Sequence, residues 1–587
     1  MQTTQGMFAL LAVRQYFGHG SSRRAAPSRA AVVLAAIAGL LGVPIDSASG
    51  QSSNSANVPP QSARIDEHVQ RHWQALGIGP SRPAEDGEGC RRVFLDVLGR
   101  IPTVDELEQF LGEPAASRKA RLVDRLLGES YVEAYAGNWT ELWTNILIGR
   151  TGGTERRSLV DRDGLKQALR RAFQRNMPYD RMVYELVSAT GVNKPGKRDP
   201  KTGARYNGFV NFMVGNLEEN AVQATAKTSQ VFLGIQVQCT QCHNHPFNNW
   251  KQNQFWELNA FFRQTRALRR FGQGRNIDYV ELTNQDFAGE TNEPTEAVLF
   301  YELRNGLSKA AYPVFVDGSP LENRSGFVEE VDRRTELAQR IVEHETMPKA
   351  MVNRMWAHFL GYGFTKPIDD MGPHNPPTHP ELLDELAAEF KTRSYNVKDL
   401  IRWIVLSKPY GLSSKSTTRN ARDDPSLGEK PAFSRFYLRQ MRAEELYESL
   451  LVATEALNAS TSYEQRERTK REWLSQFVTA FGTDDNEETT TFNGTIPQTL
   501  MMMNGELISE ATSVDKGSFL YRLANDAKMK NPAKIRRLYL AAFSRQPTTK
   551  EIMLANDVLR ARKGETAAAL QDLWWAMLNS NEFILNH

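Results

Sequence analysis

The chain is poor in cysteine: three residues in 587, at positions 90, 239 and 242. That is too few for a disulfide framework, so stability must come from a buried core. Charge of one sign is also lacking. Lys and Arg total 72 against 69 Asp and Glu, a net charge of +3. This near balance gives no electrostatic case for nucleic acid or for an anionic membrane surface. Beyond the first fifty residues no apolar run reaches the length of about 20 residues that crosses a bilayer. No G-x-S-x-G, Walker loop or H-E-x-x-H occurs, so the sequence signals no nucleophile–base set for a hydrolytic enzyme. What is present is ordinary globular composition, 40% hydrophobic and 24% charged, in a chain long enough to predict two or more domains.

The first fifty residues read as an export signal. Arg23, Arg24 and Arg29 form a basic region, and the apolar stretch 30–45, "AAVVLAAIAGLLGVPI", is short for a membrane span. Ala48-x-Gly50 then suits a signal peptidase. The expectation is export in the unfolded state, to the periplasm or cell envelope or beyond, with an uncleaved anchor as the alternative. Residues 51–62, polar with two prolines, read as a linker.

From Ile65 onward the apolar spacing is mostly helical. Leu165, Ala168, Leu169, Ala172 and Phe173 share one face, and Met182, Val183, Leu186 and Val187 repeat the pattern before Gly191. The basic, Pro/Gly-rich stretch 193–208 reads as a solvated loop rather than a polyanion contact. Between about 268 and 320 the segments "IDYVEL", "AVLFYEL" and "YPVFVDG" read as short strands. Helical spacing returns near Arg333, with breaks at 411–434 and at the acidic, Thr-rich stretch 482–494. A P-T-x-x-E pattern occurs at Pro102–Glu106, Pro377–Glu381 and Pro547–Glu551. It predicts three helix starts of the capping-box kind, with no chemistry assigned to Glu106 or Glu551.

The densest chemistry lies in "QVQCTQCHNHPFNNW", residues 236–250. Cys239, Cys242 and His243 form C-x-x-C-H, and His245 follows. Three readings stand. In the first, two thiols three apart add to the vinyl groups of haem c and His243 becomes an axial ligand of the iron. In the second, Cys239, Cys242 and His245, or His243, supply three ligands to zinc, with a fourth from elsewhere such as His358 or His374. In the third, the cysteines form a disulfide beside ordinary histidines. The haem reading is preferred because its attachment chemistry belongs outside the cytoplasm, as does the export signal. Flanking stretches 221–234 and 253–262 read as helices, and Trp250, Phe255, Trp256, Phe261 and Phe262 offer apolar surface that could wall a macrocycle or fill a core. Met351, Met355, Met371 and Met501–Met503 are candidate sixth ligands with core filling as the default. The pair His68 and His72 has metal-binding spacing, but with no acidic or thiol partner assigned to it the pair reads as an exposed helix face. Cys90 is assigned no role.

Three long stretches, 91–111 ("RRVFLDVLGRIPTVDELEQFL"), 121–143 and 229–262, resemble the planctomycete cytochrome-c-like domain family, a domain of unknown function. Residues 350–390, 400–414 and 573–587 resemble its planctomycete-specific C-terminal partner, also of unknown function. The resemblance implies an exported protein of a planctomycete-type bacterium, made alongside secreted sulfatase-like proteins, whose cytochrome character rests on Cys239, Cys242 and His243. Many larger relatives carry a separate cytochrome-like domain; without it the expectation is one haem. In the second half Asn353, Arg354, Trp356 and His358, with Asp369 and Asp370, suggest a polar cleft for a glycan or cation. The alternative is that the Asn-Arg pair ties down loop carbonyls and the adjacent carboxylates diverge, and this structural reading is preferred.

The expected fold is therefore mainly α, a multi-helical two-domain protein with a small β insert. The expected boundaries are a signal peptide at 1–50, a linker at 51–62, the cytochrome-c-like domain at 63–267, the insert at 268–332 and the C-terminal helical domain at 333–587. The expected function is extracytoplasmic electron transfer to a redox partner protein through one haem c, with no nucleic acid and no membrane span in the mature chain. The rival is a zinc-stabilised, non-catalytic module in an envelope polysaccharide-processing system.

Overall fold

Four arginines, Arg91, Arg92, Arg333 and Arg334, are among the most buried side chains of the molecule. A guanidinium out of water needs hydrogen-bond acceptors, and here the partners are mostly backbone carbonyls from distant parts of the chain, with Arg91 Nε left unmatched. Arg91 donates to the carbonyls of Ala542 (2.7 Å) and Phe583 (2.6 Å). Arg92 donates to those of Leu412 (2.9 Å), His587 (3.1 Å) and Tyr410, and lies over the Phe436 ring at 3.7 Å. Arg333 gathers carbonyls of Ala297, Arg324 and Ser325 within 3.1 Å. Arg334 takes those of Val187 (2.9 Å) and Ala189 (2.6 Å) and the Asn284 side-chain oxygen.

These contacts come from a computed structural model that describes residues 58–456 and 505–587, apart from 156, 290 and 291, together with 468, 470, 471 and 474. The expected export signal, Met501–Met503 and the acidic stretch 482–494 lie outside the described residues. Among them are 21 helices and small antiparallel sheets, the mainly α fold expected. Among the described residues no helix is long and apolar enough to cross a membrane.

The first region contains α1 (Pro60–Leu76), α2 (Asp86–Leu98), α3 (Val104–Gly112), α4 (Arg118–Leu127), α5 (Val132–Ile148), α6 (Arg162–Gln174) and α7 (Tyr179–Ser188). The strand β1 (Gly191–Val192), α8 (Val210–Asn216), α9 (Glu218–Thr228) and α10 (Gln252–Asn259) follow. Helix α6 buries Leu165, Leu169, Ala172 and Phe173, and α7 buries Met182, Val183, Leu186 and Val187, the faces their spacing predicts. The long strands β2 (Thr265–Phe271) and β3 (Ile277–Asn284) pair with each other and β3 also pairs with β1, giving the order β1-β3-β2, and β4 (Leu299–Glu302) pairs with β5 (Ser308–Ala311). Two of the three expected strands are present. The third, "YPVFVDG", is a turn with one bridge, Val314 to Pro320. Pro313 has no N–H to donate, and Gly318 (φ 85°) with the Asp317 side chain capping Ser319 closes a loop instead.

Helices α11 (Arg333–Glu343), α12 (Thr346–Leu360), α13 (Pro380–Thr392) and α14 (Val397–Val405) continue the chain. A short strand β6 (Arg439–Gln440), α15 (Ala443–Ala453), α16 (Glu506–Ala511), α17 (Phe519–Asn525), α18 (Asn531–Phe543), α19 (Thr549–Ala561), α20 (Thr566–Leu578), α21 (Asn581–Ile584) and β7 (Leu585–Asn586) complete it. One apolar cluster runs through both regions, from Ile65 on α1 to Ile584 on α21.

Two of the three P-T-x-x-E patterns are capping boxes, at Thr103/Glu106 and Thr548/Glu551. Their surroundings match as well. Each preceding helix ends in a left-handed residue, Gly99 or Ser544. Arg100 binds Glu106 through two nitrogens and lies 5.3 Å from the Phe94 ring; Arg545 binds Glu551 the same way and lies 5.4 Å from Tyr539. The pairs α2–α3 and α18–α19 thus build one helix–turn–helix unit twice. The third pattern also marks a helix start, but α13 begins at Pro380 with no side-chain cap, so Thr378 and Glu381 form no capping box.

Asp96 on α2 joins the first region to the last. It is 1% exposed and accepts from Arg439, from Asn586 (2.7 Å) and from the Tyr410 hydroxyl (2.8 Å), while its carbonyl accepts from His358 Nε2 at 3.0 Å. Burial raises its carboxyl to about 6, against the lowering pull of Arg439 and Tyr410. A carboxyl raised from 3.8 on folding keeps its proton longer in the native state, so stability falls as pH rises between about 4 and 6, by about 3 kcal/mol in total. Urea denaturation of Asp96→Asn should lack that portion of the pH dependence. Asp96→Ala should cost about 3–5 kcal/mol, because it strands the Arg439 charge.

Candidate functional site

The CxxCH segment is a short 3₁₀ turn, Gln238–Gln241, wedged against α9 and α10. Its lead-in is irregular by construction. After α9 the helix widens into a π turn at Ser229–Leu233 and ends on Gly234, in the left-handed conformation at φ 66°. The Ser229 hydroxyl donates to the Ile235 carbonyl at 2.6 Å. The turn itself is pinned by hydrogen bonds. Thr240 bonds the Val237 carbonyl through its hydroxyl and its N–H, at 2.6 and 2.9 Å. The Gln241 carbonyl accepts from Trp256 Nε1 (3.0 Å) and Gln252 Nε2 (3.2 Å), and Asn244 Oδ1 accepts from the Gln252 N–H at 3.0 Å.

Both motif cysteines are exposed free thiols, and Cys90 is a free thiol buried in the core, where burial pushes its titration far up. His243 Nδ1 lies 2.7 Å from the Asn244 carbonyl oxygen. A carbonyl can only accept, so Nδ1 carries the proton and Nε2 keeps its lone pair. His245 has the opposite tautomer. Its Nδ1 accepts the N–H groups of Phe247 (3.2 Å) and Asn248 (3.1 Å), which leaves the proton on Nε2 and commits the ring to closing its own turn. Of the two histidines, His243 is the one with a free donor nitrogen beside the cysteines.

The other candidate ligands lie elsewhere. His358 donates to the Asp96 carbonyl and packs on Trp139 with ring centroids 5.1 Å apart; burial and the nearby Arg442 and Arg439 lower it to about 3. His374 Nε2 pairs with Asp370 at 3.0 Å. Met351 and Met355 are core residues, and Met371 packs on Gly234. Among the described residues no three His, Cys, Asp or Glu side chains gather as a metal-ligand group. The aromatic wall is also spent on packing: Phe255, Phe261 and Phe262 are buried in the core, and Trp256 stacks on Tyr301. A depression of about 410 Å³ opens beside Cys242 and His243, with Arg304 and Lys309 across it. A larger one, about 800 Å³, lies on α19 and is lined by neither Cys nor His.

The paired carboxylates diverge. Asp369 is buried and accepts from Gln230 Nε2 (2.6 Å), within the π turn, and from Gln236 Nε2 (2.8 Å), just after it. The Met371 N–H donates to the Gly234 carbonyl at 2.7 Å. Asp369 thus anchors the approach to the CxxCH turn, a role that the sequence separation of over a hundred residues conceals. Asn353 holds the 364–368 loop through Thr365, the Ile368 carbonyl and the Phe364 N–H, which favours the structural reading of the Asn-Arg pair. His68 and His72 correct the sequence reading. Neither lies on a fully exposed face: His68 sits beside Glu385 (3.0 Å) and Glu381 (3.9 Å) of α13, and His72 packs on His379 with centroids 4.3 Å apart.

The class defined here is a helical protein presenting two free thiols and a free imidazole nitrogen on one braced turn. Comparison with family models puts the chain in a specific lineage. Residues 64–267 match PSCyt2, a protein of unknown function (DUF1549), and residues 333–559 match PSD1, a protein of unknown function (DUF1553). The chain belongs to this tandem, planctomycete-type pair of families. No curated protein and no solved structure matches it.

At Gly234 an added Cβ would stand 2.6 Å from Met371 Cε and 3.3 Å from Ala350 Cβ, in a backbone conformation that side chains avoid. Gly234→Ala should lower stability by about 1–3 kcal/mol. Asp369→Ala should speed hydrogen exchange of the amides of residues 229–245, because two half-buried glutamines lose their acceptor; unchanged exchange would show that Asp369 does not brace the turn.

Proposed function

We propose that the chain carries one haem c on the turn Cys239–His243 and serves in electron transfer outside the cytoplasm. The observation that carries this reading is the state of the motif. Both thiols are exposed and unpaired, and His243 Nδ1 is held by a carbonyl so that Nε2 is left as donor. That hydrogen bond is the usual orienting partner of a metal-bound imidazole. The donor set therefore fits a covalently attached haem. Each sulfur would form a bond to a vinyl carbon, the thiol hydrogen passing to the other vinyl carbon, with no net change of oxidation state. When bound, the group supplies an iron that exchanges single electrons. The protein's part is to hold the two sulfurs and the imidazole on a turn braced by Thr240, Trp256 and Gln252. The polar, open surroundings leave such a group near the surface, within reach of a redox partner. Export through residues 1–50 belongs to the same proposal, since the attachment is extracytoplasmic chemistry.

The test is expression of the full chain in a host with cytochrome c maturation. A Soret band and haem staining that survives denaturing electrophoresis are expected. Cys239→Ser/Cys242→Ser should abolish the stain, whereas His243→Ala should keep it and alter the spectrum. A colourless, iron-free product from such a host defeats the reading. One zinc per chain, lost in the double serine variant, would favour the metal-stabilised module instead.

A further inference from the structure

The depression beside the CxxCH turn has a second wall, made by the β4–β5 hairpin. Arg304 and Lys309 line it there, together with Tyr301, while Cys242 and His243 line it from the turn. The two walls are tied by single side chains. Gln252 Nε2 bonds the Gln241 carbonyl of the turn (3.2 Å) and the Glu302 carbonyl of the hairpin (3.0 Å). Trp256 donates to the same Gln241 carbonyl and stacks on Tyr301, the planes 14° apart. The hairpin loop is closed by the Leu303 N–H to Leu307 carbonyl bond at 2.8 Å and by Gly306 at φ 80°. Arg304 and Lys309 are therefore displayed on a fixed frame.

Among the described residues neither cation has a carboxylate partner, in contrast to neighbouring cations on and beside the insert. Lys197 pairs with Asp278, Arg324 with Glu296, and Arg270 with Asp199 and Glu281. Two positive groups without counter-ions, facing the same cavity as a thiol and an imidazole, make an anion-binding wall. We propose that Arg304 and Lys309 receive the two carboxylates of a porphyrin whose opposite attachment is at Cys239 and Cys242. The inference rests on the haem c reading and adds the residues that recognise the acidic groups of the ligand.

The probe is metal-free protoporphyrin IX, compared with its dimethyl ester by fluorescence titration of the full chain. The unmodified protein should bind the diacid about ten-fold or more tightly than the diester, the size of one charge-assisted contact, with the gap narrowing as salt is added. Arg304→Gln/Lys309→Gln should erase the preference while leaving the circular dichroism unchanged, since both side chains are exposed. Equal binding of diacid and diester, or a preference that survives in the double variant, overturns the proposal. The metal-free probe offers His243 no iron and needs no thioether bond, so its outcome is separate from haem staining. A chain that never stains for haem yet keeps carboxylate-dependent binding retains the cationic subsite and loses the haem c function.

Discussion

Buried guanidinium groups that collect backbone carbonyls are the constraint on which the rest of this architecture depends. Moving a charge out of water is costly, and the cost is offset where its donors find acceptors. Arg91 and Arg92 find theirs at Ala542, Phe583, Tyr410, Leu412 and His587. Arg333 and Arg334 find theirs on the insert and at the end of α7. The acceptors exist only when the last helices, the loop after α14 and the insert are all in place. Folding of the first region is thereby coupled to docking of the last, as the shared apolar core also requires. Asp96, Arg439, Asn586 and Tyr410 repeat the arrangement with an anion at the centre.

The same logic reaches the CxxCH turn. Its own residues make few apolar contacts, and its order comes from hydrogen bonds at both ends. On one side Asp369, from the second family region, holds Gln230 and Gln236. On the other, Gln252 and Trp256 hold the Gln241 carbonyl and link it to the β4–β5 hairpin. The chemistry-bearing atoms sit at the surface while their supports are buried. This division would suit the proposed attachment of a large flat ligand, whose anchoring points must stay still.

Much of this was legible in the chain itself. Amphipathic spacing located α6 and α7, and two of the three P-T-x-x-E patterns are capping boxes, because both signals depend on residues within one or two turns. The strand reading failed at "YPVFVDG", where an apolar run looked extended but Pro313 and the Asp317–Gly318 turn decide otherwise. The placement of His68 and His72 was also missed. Glu381 and Glu385 are over three hundred residues away, and only the packing of α1 on α13 brings them together.

By itself the sequence determined the helical class, the two family regions and the candidate triad Cys239, Cys242 and His243, since each is written in local sequence. Tertiary structure alone decided which imidazole keeps a free nitrogen, that Asp369 is a brace rather than half of a carboxylate pair, and that Arg304 and Lys309 share a cavity with Cys242 and His243. Those outcomes are set by hydrogen bonds and burial between segments far apart in the chain. No local pattern records them, because the groups meet only once the core has closed.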